Sequence, residues 1–414
     1  MILKRHITLK NLILSSLLFS VFTFKIGTIN FAIGDFMLVI CDILIIFYLS
    51  SSINISSNRK KYLVKCLFFL LVYLFLCLGS FGNYVFRDSD IVSSIIAFIK
   101  VAVAVNYGLV FSFYFSLSDE SEIKEFLYFL LMSGLIVALF AILGVLLYQM
   151  GVETPLVMNG GRATSFMSDT NILAIFLLSL LPLIMIYRFR HSVNRWIYLS
   201  IYFLAILSTA SKAAILVMLF LLISYISLLL FTGNFRKVFK AFLLIVSIIS
   251  MLFIMLKYTN IFNLLLTRLG ELNTGDTSQL TTGRSDLWGF AVKLIFSNFS
   301  IFLFGIGYSG FAGYILTRDV PYYLSNIILV HNTYLSMFLE TGILNFLLMI
   351  FVSVYLLLKY LVKVMNEKNH NYILMLLSLM SLIIGMNEVN LQNSRFVYIL
   401  LVFYFYRTTI VKLS

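Results

Sequence analysis

The chain has 414 residues, of which 61% are hydrophobic and only 11% are charged, and its mean hydropathy is +1.03. The hydrophobic fraction and the mean hydropathy lie far above those of water-soluble domains, the charged fraction lies far below, and together they exclude a soluble enzyme. In a soluble chain the net charge of +13 would suggest a nucleic-acid-binding protein. Here the basic residues form short clusters between apolar runs, so they are interpreted as membrane-topology signals, and no nucleic acid is expected as a partner.

Apolar runs recur along the whole chain and predict the architecture. A helix that spans a bilayer needs about 20 mostly apolar residues, and by this rule about twelve spans are predicted. The predicted fold is an all-α polytopic membrane protein, with residues 1–414 forming one transmembrane domain. The spans, in chain order, are 9–28, 33–50, 62–80, 91–115, 125–149, 169–187, 195–210, 212–232, 238–257, 333–358, 371–387 and 395–411. No small-residue cleavage site follows the first run, which indicates a retained span and not a signal peptide.

Basic clusters follow every second span and predict the orientation. With cytoplasmic termini, the clusters that begin at Arg59, Arg188, Arg236 and Lys359 all face the cytoplasm, as the positive-inside rule requires.

This orientation leaves two long external loops, 150–168 and 258–332, and long loops of this kind are usually functional. Within the second loop, a helix is predicted from Ser285 to Phe296, and it could lie along the membrane surface. Its apolar face is formed by Leu287, Phe290, Ala291, Leu294 and Ile295.

The first external loop contains Arg162, whose planar guanidinium suits phosphate oxygens. A solvated arginine or one that contacts lipid headgroups is the alternative. Asp169 and Asn171 follow where the sixth span begins; they are candidates for substrate binding, although capping of that helix explains them more simply.

The second loop supplies Arg284 and Asp286 at the start of its predicted helix, where an anionic leaving group could bind beside exposed backbone N–H groups. His331 and Asn332 lie at the external mouth of the next span, followed by Tyr334. A histidine is more often structural, but its near-neutral pKa also makes His331 the best candidate for a general base or a hydrogen-bond donor.

Further charged residues are predicted to lie at the same membrane depth as these loop residues. Lys212, Glu388 and Arg395 are candidates for substrate contacts or plain interfacial anchors. Glu340 lies two turns into its span, on the same face as Ser336, and should point into protein or a polar cavity.

Other charges favour a different class of protein. Asp35 and Asp42 share one face of the second span, and Lys100 lies within the fourth, so an Asp42–Lys100 pair is possible. A transporter would use such charges for ion coupling, although structural pairing is the simpler interpretation. The three cysteines have no paired spacing and no nearby histidines, so neither a disulfide nor a metal site is predicted.

Taken in order, five segments resemble the O-antigen polymerase and ligase superfamily of bacterial envelope polysaccharide assembly. They are the arginine loop leading to Phe166, Asp169 and Asn171; Gly283-Arg284-Ser285 through Trp288; Gly305-x-Gly307; His331-Asn332 with Tyr334; and Glu340-x-Gly342. Each motif alone is weak, whereas the ordered set covers nearly the whole chain.

The resemblance implies a glycosyltransferase of the GT-C type in the bacterial inner membrane, acting at the periplasmic face on glycans linked to undecaprenyl pyrophosphate. The resemblance also implies catalytic roles for Arg162, Arg284 and His331, and it implies neither a metal nor another cofactor. A polymerase that extends the glycan on the next lipid-linked repeat unit is favoured, because the motifs of this chain resemble those of polymerases more than those of ligases. A ligase that transfers the glycan to lipid A core is the first alternative, and a flippase or other transporter is the second.

Further expectations concern the partners of the protein and one position at which the chain departs from the family pattern. Membrane lipids surround such a protein, and a chain-length regulator is a possible protein partner. Relatives often have Ser-Arg where this chain has Ser211-Lys212, which puts a phosphate-binding role for Lys212 in doubt.

Overall fold

A computed structural model describes residues 2–26, 29–49, 56–85, 91–158, 160–189, 191–233, 284–311 and 330–409. The predicted ninth span, 238–257, lies outside the described residues, as does most of the second external loop. Within the described part, helices form nearly all of the structure, as the composition predicts.

The helices and strands follow the predicted order. They are α1 (Ile2–Phe19), β1 (Thr23–Ile26), β2 (Ile29–Ala32), α2 (Ile33–Leu49), α3 (Ser57–Val85), α4 (Ile91–Leu117), α5 (Glu120–Gln149), β3 (Val157–Met158), β4 (Arg162–Ala163), α6 (Thr170–Ile186), α7 (Ser192–Ser208), α8 (Lys212–Phe231), α9 (Arg284–Ser297), α10 (Phe299–Phe304), α11 (Thr333–Glu367), α12 (His370–Glu388) and α13 (Arg395–Thr409).

Six helices of the described part are long and apolar enough to cross a membrane. They lie in α3, α4, α5, α8, α11 and α12. Shorter apolar helices occur at Thr8–Phe19, Thr170–Ile186 and Val193–Ser208. The chain is thus an α-helical membrane protein, whereas the full count of twelve spans is not confirmed. The predicted division between the seventh and eighth spans is confirmed, because Ser211 caps α8 by accepting a hydrogen bond from the Ala214 N–H.

The predicted first span is wrong at its outer end. The helix α1 ends at Phe19, and the chain continues as an antiparallel hairpin in which Thr23 pairs with Ala32. The β-branched and aromatic residues of β1 and β2 favour extended structure. A second short hairpin, β3 with β4, lies within the first external loop.

The predicted tenth span, 333–358, is also wrong as a single straight helix. Gly342 has φ +81°, which divides α11 into segments 333–341 and 343–367. Nineteen residues of straight helix would separate Tyr334 from Ser353 by about 28 Å, yet their hydroxyl oxygens lie 3.0 Å apart. The first segment therefore folds back along the second, and only the second can serve as a complete span.

Close backbone approach explains why glycine occupies this reversal. A Cβ atom at Gly342 would lie 2.1 Å from the Leu303 carbonyl oxygen, and one at Gly305 would lie 2.3 Å from the Glu340 carbonyl. The reversal leaves the carbonyls of Leu339 and Glu340 available, and they accept hydrogen bonds from the N–H groups of Ile306 and Gly307, at 2.8 and 3.0 Å. Two glycine motifs that are distant in sequence thus form one contact.

The main core lies inside the helical bundle, where α6 packs against α12 and α7, and α13 packs against α4 and α3. A second, smaller core joins α9 and α10 to the first segment of α11. The apolar stripe predicted for the loop helix is confirmed, because it faces this second core: Leu287, Ala291, Leu294 and Ile295 are buried and Phe290 is partly buried.

Ion pairs join helices at the end of the bundle that the predicted topology places in the cytoplasm. Lys10 pairs with Glu122, and the buried Arg407 pairs with Glu120 at 3.1 Å. The capping box of Asp119 and Glu122 fixes the start of α5 at the same end.

Candidate functional site

Arg162 lies on β4 and reaches across to two other elements. Its Nη2 donates to the Thr170 hydroxyl at 2.6 Å, and its Nε donates to the Thr209 carbonyl at 3.0 Å. The guanidinium is thereby fixed between the start of α6 and the turn that joins α7 to α8. Since the side chain is only half-buried, its charge lies near solvent and not deep in the bundle.

The start of α6 is joined to the start of α8. Asp169 caps α6 by accepting from the N–H of Asn171 at 2.7 Å, so the simpler of its two predicted roles is present. The Asn171 side-chain oxygen accepts from the Ser211 hydroxyl at 2.6 Å. Lys212 is the first residue of α8 and is half-buried. The ends of two helices are therefore held beside Arg162.

Arg284 is the first residue of α9, one position earlier than the predicted start of the helix. Its guanidinium donates to the Glu388 carboxylate at 3.0 Å, and the two side chains are 18% and 31% exposed. One turn further along α9, the Trp288 indole N–H donates to the Val330 carbonyl at 3.0 Å. This bond ties the helix to the residue that precedes His331.

His331 is held in an uncommon backbone conformation between two fixed neighbours. Its φ is +51°, in the left-handed region that residues other than glycine rarely adopt. Asn332 caps the first segment of α11 by accepting from the Leu335 N–H at 2.9 Å. With Val330 and Asn332 both anchored, the imidazole position is set by the surrounding structure.

Burial is the main reason why the pKa of His331 lies below its ordinary value of 6.5. The positive charge of Arg284 lowers this pKa further, whereas the carboxylate of Asp169 raises it. The imidazole is therefore mainly neutral at pH 7, which is the form that can accept a proton.

These electrostatic contacts also show that distant parts of the chain meet at one place. Asp169, at the start of α6, and Arg284, at the start of α9, both act on His331 before α11. Arg162 contacts Thr170, the neighbour of Asp169. Arg284, His331 and Asp169 thus lie together at one end of the bundle, opposite the Lys10–Glu122 pair, and Arg162 is joined to the same end of α6 through Thr170.

Of three other predicted site residues, two have structural partners and one has an exposed side chain. Arg395 donates two hydrogen bonds to Asp35, at 2.7 and 2.5 Å, which joins α13 to α2. The Tyr334 hydroxyl contacts Ser353 inside the bundle. Asp286 lies in the first turn of α9 with its side chain exposed. Substrate contacts at these positions remain predictions.

Glu340 points into protein, and its carboxylate secures the loop that follows α10. The side chain is buried and accepts hydrogen bonds from the backbone of Ser309 and Phe311 and from the Ser336 hydroxyl. The same loop is fixed by Tyr308, whose N–H donates to Ser80. A structural role explains these contacts fully.

No sequence pattern singled out Glu388 as the partner of Arg284. It was one of several charges at similar depth, and the two residues are 104 positions apart. A usable signal was its place at the end of α12, because a carboxylate there is disfavoured by the helix dipole and needs a cation nearby. Thr170 and Thr209 carried no comparable signal.

An open groove between α9 and α10 has a volume of about 330 Å³ and is lined by Ile295, Phe296, Asn298, Phe299 and Phe302. It contains no charged side chain among these residues, so the chemistry is assigned to the arginine and histidine cluster. In the described ranges, no three histidine, cysteine or acidic side chains are grouped so that they could hold a metal ion.

The fold and the site define a polytopic membrane protein with a cationic site at one end of its helical bundle. The family described as O-antigen ligase matches residues 197–350, about a third of the chain, a stretch that contains Arg284 and His331. This match confirms the predicted resemblance to the O-antigen polymerase and ligase superfamily. It supports a ligase- or polymerase-type function without separating the two. No curated protein matches the chain.

Proposed function

We propose that this protein is a surface-polysaccharide polymerase that transfers a growing glycan from a lipid pyrophosphate carrier to the next lipid-linked repeat unit. The observation that carries the proposal is the position of Arg284 and Asp169 beside a neutral His331, with Arg162 bonded to Thr170 at the start of the same helix that Asp169 caps. Fixed guanidinium groups suit a reaction whose leaving group is a pyrophosphate.

The proposed step is an in-line displacement at the anomeric carbon. The hydroxyl oxygen of the acceptor sugar forms a bond to that carbon, and the bond from carbon to the pyrophosphate oxygen breaks. The leaving lipid pyrophosphate keeps the electron pair, and Arg162 and Arg284 stabilise its charge. His331 accepts the hydroxyl proton, or instead it orients the pyrophosphate. A displacement of this kind inverts the anomeric configuration.

The family match favours glycosyl transfer over transport, because the matched family is described as O-antigen ligase. Polymerase is preferred over ligase on the motifs around Arg284 and His331. The proposed location is the bacterial inner membrane with cytoplasmic termini, which places the cluster on the periplasmic side. The proposed partners are undecaprenyl-pyrophosphate-linked oligosaccharide and, as a regulator, a chain-length protein.

The experiment is a gel ladder of surface polysaccharide from a strain that lacks the gene. The strain is complemented with wild type, Arg162→Ala, Arg284→Ala or His331→Ala, and with the exposed Arg188→Ala as the matched control. If the deletion and the site variants leave a single repeat unit on the core while Arg188→Ala restores the ladder, polymerase activity at this site is supported. If polymer forms on the carrier but never reaches the core, the protein is a ligase. If no repeat unit crosses the membrane, it is a transporter.

A further inference from the structure

The ion pair between Arg284 and Glu388 joins two helix ends whose charges both conflict with their own helices. Arg284 places a cation at the start of α9, where the helix dipole favours an anion, and Glu388 places an anion at the end of α12, where the dipole favours a cation. Each side chain is thus stabilised by its partner and not by its helix. Such local conflicts are typical of functional positions.

The two partners differ in how freely they can separate. The Glu388 side chain is 31% exposed and that of Arg284 is 18% exposed, so the carboxylate lies on the more open side of the pair. Beyond Glu388 the chain is anchored, because the Val389 carbonyl accepts from the Thr333 hydroxyl at 2.6 Å. The carboxylate can therefore turn toward solvent while its backbone stays in place.

From this geometry we infer that Glu388 is an internal competitor for Arg284, which raises the affinity that any anion needs in order to occupy the site. The inference rests on the proposed function, in which Arg284 binds the pyrophosphate of the substrate. A diphosphate meets this threshold, whereas the singly charged phosphodiesters of ordinary lipids do not. Glu388 is then a residue that sets the binding threshold without taking part in the bond-making step.

Charge explains which anions meet this threshold. A phosphodiester headgroup that displaces Glu388 exchanges one negative charge for another and gains little interaction energy with the guanidinium. A diphosphate brings at least two negative charges, so its attraction to Arg284 exceeds that of the carboxylate it replaces. Membrane phospholipids greatly outnumber any one substrate lipid, and a built-in competitor raises the affinity that an anion needs in order to bind.

The test measures binding of two soluble probes to the purified full-length protein, inorganic pyrophosphate and dimethyl phosphate, by the rise in thermal unfolding temperature with concentration. The variants are Glu388→Gln, which removes the competing charge, and Glu388→Asp, which keeps it. Glu153→Gln is the matched control, since Glu153 is exposed in the first external loop.

Wild type and Glu153→Gln should bind pyrophosphate and bind dimethyl phosphate only weakly. Glu388→Gln should bind both probes about tenfold more tightly, because removing an internal competitor raises the apparent affinity of every anion that must displace it. Glu388→Asp should keep affinities near those of wild type, which a loss of folding or packing in the glutamine variant would not predict.

The inference is overturned if Glu388→Gln binds pyrophosphate more weakly, since Glu388 would then only position Arg284, or if its affinities for both probes equal those of Glu153→Gln. The proposed function fails separately. If wild type binds pyrophosphate and shows the predicted dependence on Glu388 but transfers no glycan, the anion site stands without the transferase. If wild type transfers glycan and the affinities do not respond to Glu388, only the present inference is lost.

Discussion

His331 combines a left-handed backbone, with φ +51°, and a pKa below its ordinary value. A left-handed conformation costs a residue with a Cβ atom about 1–3 kcal/mol, so the surrounding contacts must hold it there. Here they are the Trp288–Val330 bond and the Asn332 cap. A neutral imidazole held in this way is suited to accept a proton from an acceptor hydroxyl.

The pH dependence of activity should report this histidine. Because burial and Arg284 lower the pKa of His331, the rate should fall only as the pH drops below about 6.5, when the imidazole becomes protonated. Asp169→Asn removes the charge that raises this pKa and keeps a good helix cap. The acid limb of kcat/KM should therefore move to lower pH in Asp169→Asn and stay in place in Glu153→Gln. A limb that stays in place in Asp169→Asn would show that the charge of Asp169 does not act on His331.

The residue types of the site were predictable, whereas most of their partners were not. An arginine in an external loop and a histidine at the mouth of a span follow from hydropathy and residue chemistry. The Arg284–Glu388 and Arg395–Asp35 pairs join residues 104 and 360 positions apart. Such pairs depend on how the helices pack, which local sequence patterns do not specify.

At the scale of elements, the reversal in α11 holds the second core beside the site. Because the chain folds back at Gly342, carbonyls of the 333–341 segment accept hydrogen bonds from the 305–307 loop. The Glu340 carboxylate accepts further hydrogen bonds from the residues that follow this loop. The apolar stripe of α9 was readable from helical periodicity. The reversal was not, because a glycine in an apolar run permits a change of direction without requiring one.

Alanine at the reversal should be poorly tolerated. Gly342→Ala forces a Cβ atom onto the Leu303 carbonyl and keeps a left-handed backbone, so stability should fall by at least about 2 kcal/mol. Gly289→Ala in α9 is the control, since a Cβ atom there meets nothing within 4 Å. That change should be neutral or stabilise by up to about 1 kcal/mol. Thermal unfolding in detergent measures both, and equal unfolding temperatures for Gly342→Ala and wild type would contradict the fold-back.

At the scale of the whole molecule, one buried ion pair joins the second helix to the last. The side chains of Asp35 and Arg395 are 9% and 19% exposed, and the guanidinium lies 6.0 Å from the centre of the Tyr107 ring. Removing one partner leaves a charge uncompensated, so Asp35→Asn should destabilise the protein by about 3–5 kcal/mol. The exposed Asp286→Asn is the control, and thermal unfolding is the measurement. A small loss in Asp35→Asn would mean that the pair does not join the two ends of the chain.

The predicted topology is also a property of the whole molecule. The native cysteines, Cys41, Cys66 and Cys77, are all buried, so they should not react with a polar maleimide. In intact spheroplasts, Glu153→Cys should be labelled by an impermeant maleimide, while Lys368→Cys should be labelled only after permeabilisation. The reverse pattern would place the arginine and histidine cluster in the cytoplasm and contradict the proposed periplasmic reaction.

The spans were largely predictable from hydropathy, because apolar length is itself the condition for crossing a bilayer. The errors fall where an apolar run does something other than cross it, at the hairpin after Phe19 and at the reversal at Gly342. In both places the composition is that of a span, and only the backbone geometry distinguishes these segments from helices that cross the bilayer.

The central claim is that a fixed pair of arginines promotes glycosyl transfer from a lipid pyrophosphate. The most direct test is transfer by the purified protein in lipid nanodiscs supplied with a lipid-linked repeat unit, comparing wild type, Arg284→Lys and the exposed Arg188→Lys. Lysine keeps the charge but loses the planar set of donors. Wild type and Arg188→Lys should form polymer with inverted linkages and release lipid pyrophosphate, while Arg284→Lys should be about 100-fold slower. Wild-type rates in Arg284→Lys, or linkages that retain the donor configuration, would contradict the account.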